Sequence, residues 1–207
     1  MKTVLSQLLV PTLSLLALVV AAEAAPIKFD LADPKKVNHA TFQLDAPLEA
    51  IAGTANGVSG EVVFDPAAPA SLRGKVTIQA ASLQLPNATM QEHLHGAMWL
   101  DVKSHPEITF ETTGVAEVQT RDNVTSAQIT GRLTIKGVTR ELKTPATFTY
   151  LKDKLRARSG QQDGDILVVR ASFVIKRSEF GINAGKFEEK VADDIHIKFS
   201  LAGLAPR

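Results

Sequence analysis

The side chains in this sequence that could bind a metal ion are grouped at Glu92-His93-Leu94-His95, with His105 further along the chain. A zinc or iron site needs several such ligands converging on one ion. Thr89 and Glu92 form a capping-box pattern, which predicts a short helix over residues 90–97. On a helix, His93 and His95 point about 200° apart and cannot chelate one ion together. We therefore predict solvated or locally bonded histidines and no metal or cofactor, and a histidine-metal enzyme is a minor alternative.

A hydroxyl nucleophile is suggested only by the segment Arg177-Ser178-Glu179-Phe180-Gly181. It lacks the G-x-S-x-G spacing of a nucleophile elbow, and no histidine partner is indicated. A turn held by the Ser178 hydroxyl and by Arg177–Glu179 pairing explains the pattern better. The chain has no cysteine, which excludes thiol catalysis, disulfides and cysteine zinc sites. The sequence therefore predicts a protein that is not an enzyme.

Arg140 is a candidate for binding a polar head group, because it lies in the apolar phase of a predicted strand. An inward arginine would hold an anionic or carbonyl group. The alternative is a one-residue bulge that turns Arg140 toward solvent. The sequence favours the bulge, because an isolated buried charge is costly.

The charge balance excludes a nucleic-acid partner, since 23 basic and 22 acidic residues give a net charge of +1 without a basic stripe. Residues 1–24 are typical of a signal peptide, with Lys2, an apolar run over 13–20 and the small-x-small motif Ala22-Glu23-Ala24. We expect cleavage after Ala24 and a periplasmic or secreted protein. The alternative, an uncleaved anchor, would need about 20 clean apolar residues, and no later segment is long and apolar enough to span a membrane.

Alternating apolar and polar residues dominate the rest of the chain and predict strands with one buried face. The clearest pair is 125–136 and 138–150, joined at Lys136-Gly137. Similar segments cover residues 39–44, 60–64, 72–80, 107–118, 167–176 and 195–201, and the Ala- and Gly-rich stretch 45–60 suggests a bent strand. About eight antiparallel strands would close into a barrel whose interior is filled or holds one small ligand. Residues 29–36 are expected to be a polar lead-in, 151–165 an exposed connection, and 90–97 the single helix.

Several of these segments together resemble the YceI-like family of lipocalin-like, polyisoprenoid-binding periplasmic proteins. The hairpin segment 131–140, GRLTIKGVTR, is similar to the family's G-x-LTI-x-GVT-basic motif, and 175–182, IKRSEFGI, to its RS-acidic-FG motif. Residues 64–66, 93–102 and 106–110 match in order and spacing. The resemblance covers about residues 37–203. The sequence departs from the family pattern at Trp99-Leu100 and at His105.

The resemblance implies one domain over residues 25–207, an all-β protein with an eight-stranded antiparallel lipocalin-like barrel and one short helix. It implies non-catalytic binding, for storage or transport, of an apolar lipid such as a polyprenyl chain or a quinone. The alternative is an interaction or stress-response module with a filled barrel and no ligand. Ligand identity and oligomeric state stay open, and Arg140 is the candidate head-group residue. The expected apolar pocket wall consists of Phe42, Leu44, Val76, Ile78, Leu94, Trp99, Phe110, Ile129, Leu133, Ile135, Leu142, Phe148, Phe173, Ile175, Ile197 and Phe199.

Overall fold

The computed structural model describes residues 25–207, so the predicted signal peptide over residues 1–24 lies outside the described residues. The chain forms one antiparallel sheet of 11 strands. In chain order these are β1 (Ile27–Asp30), β2 (His39–Asp45), β3 (Ala50–Ala55), β4 (Val58–Phe64), β5 (Arg73–Gln79), β6 (Leu83–Gln84), β7 (Glu107–Arg121), β8 (Val124–Ile135), β9 (Val138–Leu151), β10 (Gly164–Lys176) and β11 (Asp194–Pro206). The helices are α1 (Ala88–His95) and α2 (Leu155–Ser159), and short 3-10 turns occupy Pro69–Ser71, Ala80–Ser82 and Arg177–Phe180.

The sheet closes into a barrel because β1 pairs with both β4 and β11. The closed ring runs β1-β4-β5-β7-β8-β9-β10-β11, and β2, β3 and β6 extend it as continuations of β1, β4 and β5. Each of these three pairs of short strands is one long strand interrupted. The interruption between β3 and β4 lies within residues 45–60, where the sequence suggested a bent strand. The predicted eight-stranded antiparallel barrel is therefore confirmed.

The interruption between β1 and β2 is bridged by the buried side chain of Asn38. Its amide donates to the carbonyl oxygens of Leu31 (2.8 Å) and Ala202 (3.0 Å), and its oxygen accepts from the Ala202 N–H (2.7 Å). β11 pairs with β2 on one side of Ala202 and with β1 on the other. Asn38 thus supplies the hydrogen bonds that a continuous strand would have made at this point.

The turn between β8 and β9 has the geometry that the sequence predicted. Lys136 and Gly137 both have positive φ, 49° and 75°, as a two-residue type I′ hairpin requires. The register of β8 against β9 runs without a shift from Val124 to Ile135. This unbroken register fixes which side chains of β9 face the interior.

One end of the barrel, which we call the closed end, is packed solid. Phe64 stacks on Phe148 with ring centroids 6.1 Å apart, and Phe29 meets Tyr150 edge to face at 6.3 Å. Phe29 is fully buried, so the expected polar lead-in is wrong: β1 is a barrel strand. α2 packs beside this end through Leu155, which is also fully buried but belongs to a separate cluster with Ile166 and Ala202.

Two further expectations about helices are corrected. The connection over residues 151–165 contains α2 and is not simply exposed. α1 begins at Ala88, and its N-cap is Asn87, whose Oδ1 accepts the Met90 N–H at 2.9 Å. Asn is as good a cap as Thr, and it precedes the capping-box residue by two positions. Neither helix among the described residues is long and apolar enough to cross a bilayer.

Candidate functional site

The opposite end of the barrel, the mouth end, holds a cavity of about 960 Å³. It lies between the barrel strands, α1 and the segment over residues 181–193, which we call the mouth loop. Eleven of the side chains predicted for the pocket wall line it. They are Phe42, Leu44, Ile78, Leu94, Trp99, Leu133, Ile135, Phe173, Ile175, Ile197 and Phe199.

The other five predicted wall residues do not line the cavity: Val76, Phe110, Ile129, Leu142 and Phe148. Ile129 and Phe148 are buried in the closed end, and Val76 and Phe110 pack against that core. Leu142 is half-buried and packs against the mouth-end cluster. Alternation assigns a residue to the inner face of a strand, but it does not say how far along the barrel that residue lies.

Two glycines determine where aromatic rings lie on the barrel wall. A Cβ at Gly131 would lie 2.3 Å from Phe110 Cζ, and one at Gly53 would lie 2.2 Å from Phe42 Cζ. Each ring therefore occupies the space over a glycine of the neighbouring strand, which needs the absence of a side chain there. For Phe42, this keeps the ring against the wall of the cavity.

Arg140 lies in solvent and does not line the cavity. The expected bulge is wrong, because β8 and β9 pair without a register shift and Arg140 is opposite Leu133. The guanidinium instead donates to the carbonyl oxygen of Thr139 at 3.3 Å. Arg140 is exposed although its phase is that of the inner face, so a head-group role at the cavity has no geometric support.

The mouth is built from residues that the strand pattern did not indicate. α1 and the residues after it contribute Met90, Met98 and Leu100, and the segment after β10 contributes Phe180, Ile182 and Phe187. Met90 lies in the helix predicted over residues 90–97, and the segments 93–102 and 175–182 resemble those of the family, but no pattern placed Phe187 at a cavity. These positions have no periodicity because they lie in loops and short helical turns.

Arg177 organises the mouth loop from within. Its side chain is 1% exposed, and its guanidinium donates to five backbone carbonyl oxygens, those of Ile182, Asn183, Lys186, Val191 and Ala192. An arginine side chain has five N–H groups, so none is left for a ligand. The predicted Arg177–Glu179 pairing is wrong, since Glu179 is exposed and the buried charge is satisfied by carbonyl dipoles. Arg177 Cζ also lies 6.0 Å from the centre of the Trp99 ring, a cation–π distance.

Ser178 fastens the end of the mouth loop, as the predicted serine turn implied. Its hydroxyl and its backbone N–H donate to the two carboxylate oxygens of Asp193 at 2.8 and 2.9 Å. Burial would raise the pKa of the Asp193 carboxyl. The hydrogen bonds from Ser178 and the positive charges of Arg177 and Lys176 outweigh it and hold that pKa below its ordinary value of 3.8.

The three histidines of the predicted cluster have separate environments. His95 Nε2 lies 2.9 Å from the carbonyl oxygen of Leu83, the His105 ring packs against Gly137, and His93 lines the cavity. Within residues 25–207, no three His, Asp or Glu side chains lie close enough to hold a metal ion.

Polar side chains are concentrated at the opening of the cavity. Of the described residues that line it, the ionisable ones are Glu49, Glu92, His93, Arg177 and Lys190. Glu92, His93 and Lys190 are exposed, and Arg177 is fully engaged. The deeper wall is aliphatic and aromatic, with Phe173 stacked on Phe199 at 5.8 Å. Such a site can hold an apolar molecule by burial and leave a polar group at the water interface.

Comparison with known proteins gives a family match. The model of the YceI-like domain matches residues 22–202. A UPF0312 protein of Pseudomonas aeruginosa is 36% identical over 134 residues, which are 63% of this chain and 62% of that protein. One of Pectobacterium atrosepticum is 32% identical over 148 residues, 70% of this chain and 71% of that protein. The chain thus spans somewhat less than two thirds of the Pseudomonas relative.

Solved structures share the barrel. BcnA of Burkholderia cenocepacia superposes with a TM-score of 0.64 at 29% identity, over 82% of this chain and 98% of that one. The Campylobacter jejuni YceI protein gives 0.60 at 25% identity, over 75% and 85%. A polyisoprenoid binding domain from Saccharophagus degradans gives 0.63 over 88% and 100%, and at 11% identity this likeness shows the fold alone.

Proposed function

The chain belongs to the YceI-like domain family, and on that premise we propose that it holds the apolar chain of an isoprenoid-type lipid inside its barrel without catalysing a reaction. The observation that carries the proposal is the cavity of about 960 Å³ at the mouth end. This volume lies near the top of the ~300–1,000 Å³ range of small-molecule sites. The alternative of a barrel filled throughout describes only the closed end.

Burial of apolar surface supplies the affinity in this proposal. Each methylene group moved from water into the cavity contributes about 0.8 kcal/mol. Leu133, Ile135 and Ile175 present branched aliphatic surface to such a chain, and the stacked pair Phe173 and Phe199 presents two rings. Branched and flat surfaces of this kind pack well against the methyl branches and planar double bonds of an isoprenoid.

The polar end of the ligand is proposed to stay at the opening, near His93, Glu49 and Lys190. Arg177 is excluded as its partner because every N–H of that side chain already has a carbonyl acceptor. The isoprenoid class is supported by the Saccharophagus degradans polyisoprenoid binding domain that shares the fold. A polyprenyl alcohol and a quinone both fit this description.

The experiment uses Trp99, which lines the cavity and is the only tryptophan in the chain. Geraniol, farnesol and geranylgeraniol, which differ by one isoprene unit each, are titrated while the tryptophan fluorescence is followed. We expect saturable binding and at least a roughly tenfold gain in affinity per unit until the cavity is full. Binding that is absent, or that does not depend on chain length, would overturn the proposal.

Export of the chain is part of the same proposal. It is supported by the signal-peptide pattern of residues 1–24. Expression of the full chain in a bacterium, followed by mass determination of the periplasmic fraction, is expected to give a protein that begins at Ala25. A full-length chain retained in the cytoplasm would contradict it.

A further inference from the structure

Large apolar side chains that are exposed gather at the mouth of the cavity. Six of them occur in the described residues. Leu48, Met98 and Phe187 are 65%, 62% and 52% exposed and lie at the mouth end. The other three lie elsewhere: Val37 and Val124 near the closed end, and Val174 on the outer wall of β10.

Hydrogen bonds join the segments that carry these three side chains into one surface, which we call the mouth rim. The Leu48 N–H donates to the carbonyl oxygen of Glu189 at 2.9 Å. The Asn183 amide donates to the carbonyl oxygen of Met98 at 3.0 Å. Phe187 lies between Asn183 and Glu189 in the mouth loop, and its ring centre is 6.3 Å from that of Trp99. The mouth rim is therefore a fixed surface that borders the cavity.

Phe187 is unusual in its backbone as well as in its exposure. Its φ is +61°, in the left-handed region that a bulky residue rarely adopts. Burial does not offset this conformational cost, because more than half of the side chain faces water. Strained backbone conformations that side-chain packing does not offset cluster at functional positions.

The charge around Phe187 is balanced. Lys186, Glu188, Glu189 and Lys190 are exposed residues of the same loop, two of each sign. A surface with exposed apolar side chains and no net charge suits a partner whose apolar interior lies beneath a thin polar surface layer. It does not favour a strongly anionic or cationic partner.

We propose that the mouth rim docks on the surface of a phospholipid bilayer and inserts Leu48, Met98 and Phe187 among the lipids, so that an apolar chain passes between membrane and cavity without crossing water. This inference rests on the proposed function, because an isoprenoid lipid resides in membranes and the rim surrounds the opening through which it would enter. Exposed apolar patches of this kind mark protein or membrane contacts, and continuity with the lipid cavity favours the membrane.

The test is flotation of the protein with vesicles of pure phosphatidylcholine. The discriminating variant is Leu48→Glu, since Leu48 belongs to the rim but does not line the cavity. Val124→Glu also introduces a glutamate at an exposed apolar position, but at the closed end, and is the matched control. We expect Leu48→Glu to reduce vesicle binding at least about tenfold, the effect of keeping one leucine from apolar burial. Val124→Glu should float like the unmodified protein, and added salt should change neither.

A second measurement separates this inference from the proposed function. Geranylgeraniol delivered from ethanol should load into Leu48→Glu as it does into the unmodified protein, read from Trp99 fluorescence. Two results would overturn the docking inference alone. The unmodified protein could bind geranylgeraniol but fail to float with vesicles, or Leu48→Glu could float as well as the unmodified protein. Flotation without loading would overturn the proposed function. Self-association of the unmodified protein that Leu48→Glu abolishes, seen by analytical ultracentrifugation without vesicles, would assign the rim to a second copy of the chain and overturn membrane docking.

Discussion

At the scale of single residues, Arg177 shows how a buried charge can shape a site without touching the ligand. Its side chain is 1% exposed and bonded only to backbone carbonyls of the mouth loop and its end. An isolated buried guanidinium would be very costly, and the loop carbonyls would lack donors without it. The arginine and the loop therefore stabilise each other, and the loop conformation depends on one side chain.

Replacing Arg177 with lysine is expected to destabilise the protein by about 3 kcal/mol or more, measured by urea unfolding. Lysine has three donors where arginine has five, and each carbonyl left without a partner costs about 1–3 kcal/mol. Arg140→Lys is the matched control, because Arg140 is exposed, and it should change stability by less than about 0.5 kcal/mol. Equal unfolding midpoints for the two variants would contradict the role assigned to Arg177.

Tyr150 gives a second prediction at this scale, and it is the only tyrosine in the chain. Burial, followed by its hydrogen bond to Asp165 (2.8 Å), raises its pKa from 10.0 to about 12. The neutral phenol therefore stabilises the fold below the unfolded pKa of 10.0, and this contribution is lost as the pH rises through about 12. Ultraviolet absorbance should show phenolate forming near pH 12, and Asp165→Asn should move the midpoint toward 10.0. A midpoint at 10.0 in the folded protein would contradict both the burial of Tyr150 and its hydrogen bond to Asp165.

The sequence predicted the faces of these residues better than their depths. Phe148 and Phe173 share the same alternation, yet Phe148 stacks in the closed end while Phe173 lines the cavity. The difference comes from the aromatic side chains of β1 and β4, which fill only one end of the barrel. Arg140 is exposed, as the favoured alternative expected, but the bulge that was to turn it outward does not exist. A bulge is a property of the pairing between two strands, and the pattern of one strand does not show it.

At the scale of elements, the strand pair β2 and β3 controls the shape of the cavity through Gly53. An alanine there would place its Cβ 2.2 Å from Phe42 Cζ and 2.5 Å from the carbonyl oxygen of Gln84. We expect Gly53→Ala to push the Phe42 ring into the cavity and to weaken geranylgeraniol binding, with a loss of about 1–3 kcal/mol in stability. Gly114→Ala is the control, because its Cβ would meet Thr130 at an ordinary 3.7 Å. If both variants bind like the unmodified protein, the ring position does not limit the cavity.

The mouth loop gives the second prediction for an element. The pKa of Asp193 is held below 3.8 in the folded protein, so the stability that this carboxylate contributes is present above that pH and is lost as the pH falls through the lower folded value. Asp193→Asn should therefore lower stability at neutral pH by about 1–2 kcal/mol, since it replaces hydrogen bonds to a charged group. Unfolding measured against pH should show this difference shrinking below pH 3.8. A difference that is constant with pH would contradict a stabilising role for the hydrogen bonds from Ser178 to the ionised Asp193 carboxylate.

Elements with strong periodicity were predictable and those without it were not. β8 and β9 and their turn follow from alternation and from Lys136-Gly137. β1 and α2 were missed because each is four or five residues long and takes its burial from neighbours far away in sequence. The mouth loop contains two glycines and five charged residues among its 13 and shows no periodicity. Its conformation depends on hydrogen bonds from Arg177, which the sequence indicated only as part of a turn.

At the scale of the whole molecule, the barrel is divided along its axis into a packed end and a hollow end. Phe29, Phe64, Phe148 and Tyr150 fill the closed end. The filled end supplies the core that holds the barrel together, which allows the mouth end to stay open without loss of the fold. The resemblance read from five motifs predicted the barrel correctly, and the cavity is the feature from which a binding function is argued.

The measurement that tests this account most directly is native mass spectrometry of the full chain, expressed in bacteria and purified without detergent. The account predicts one apolar molecule per chain, extractable with organic solvent. Ala40→Leu, which fills the cavity beside Phe199 and Ala55, should carry less of it than Val124→Glu, whose substitution lies at the closed end. A bare polypeptide mass for the unmodified protein, together with no change in Trp99 fluorescence on adding geranylgeraniol, would contradict it.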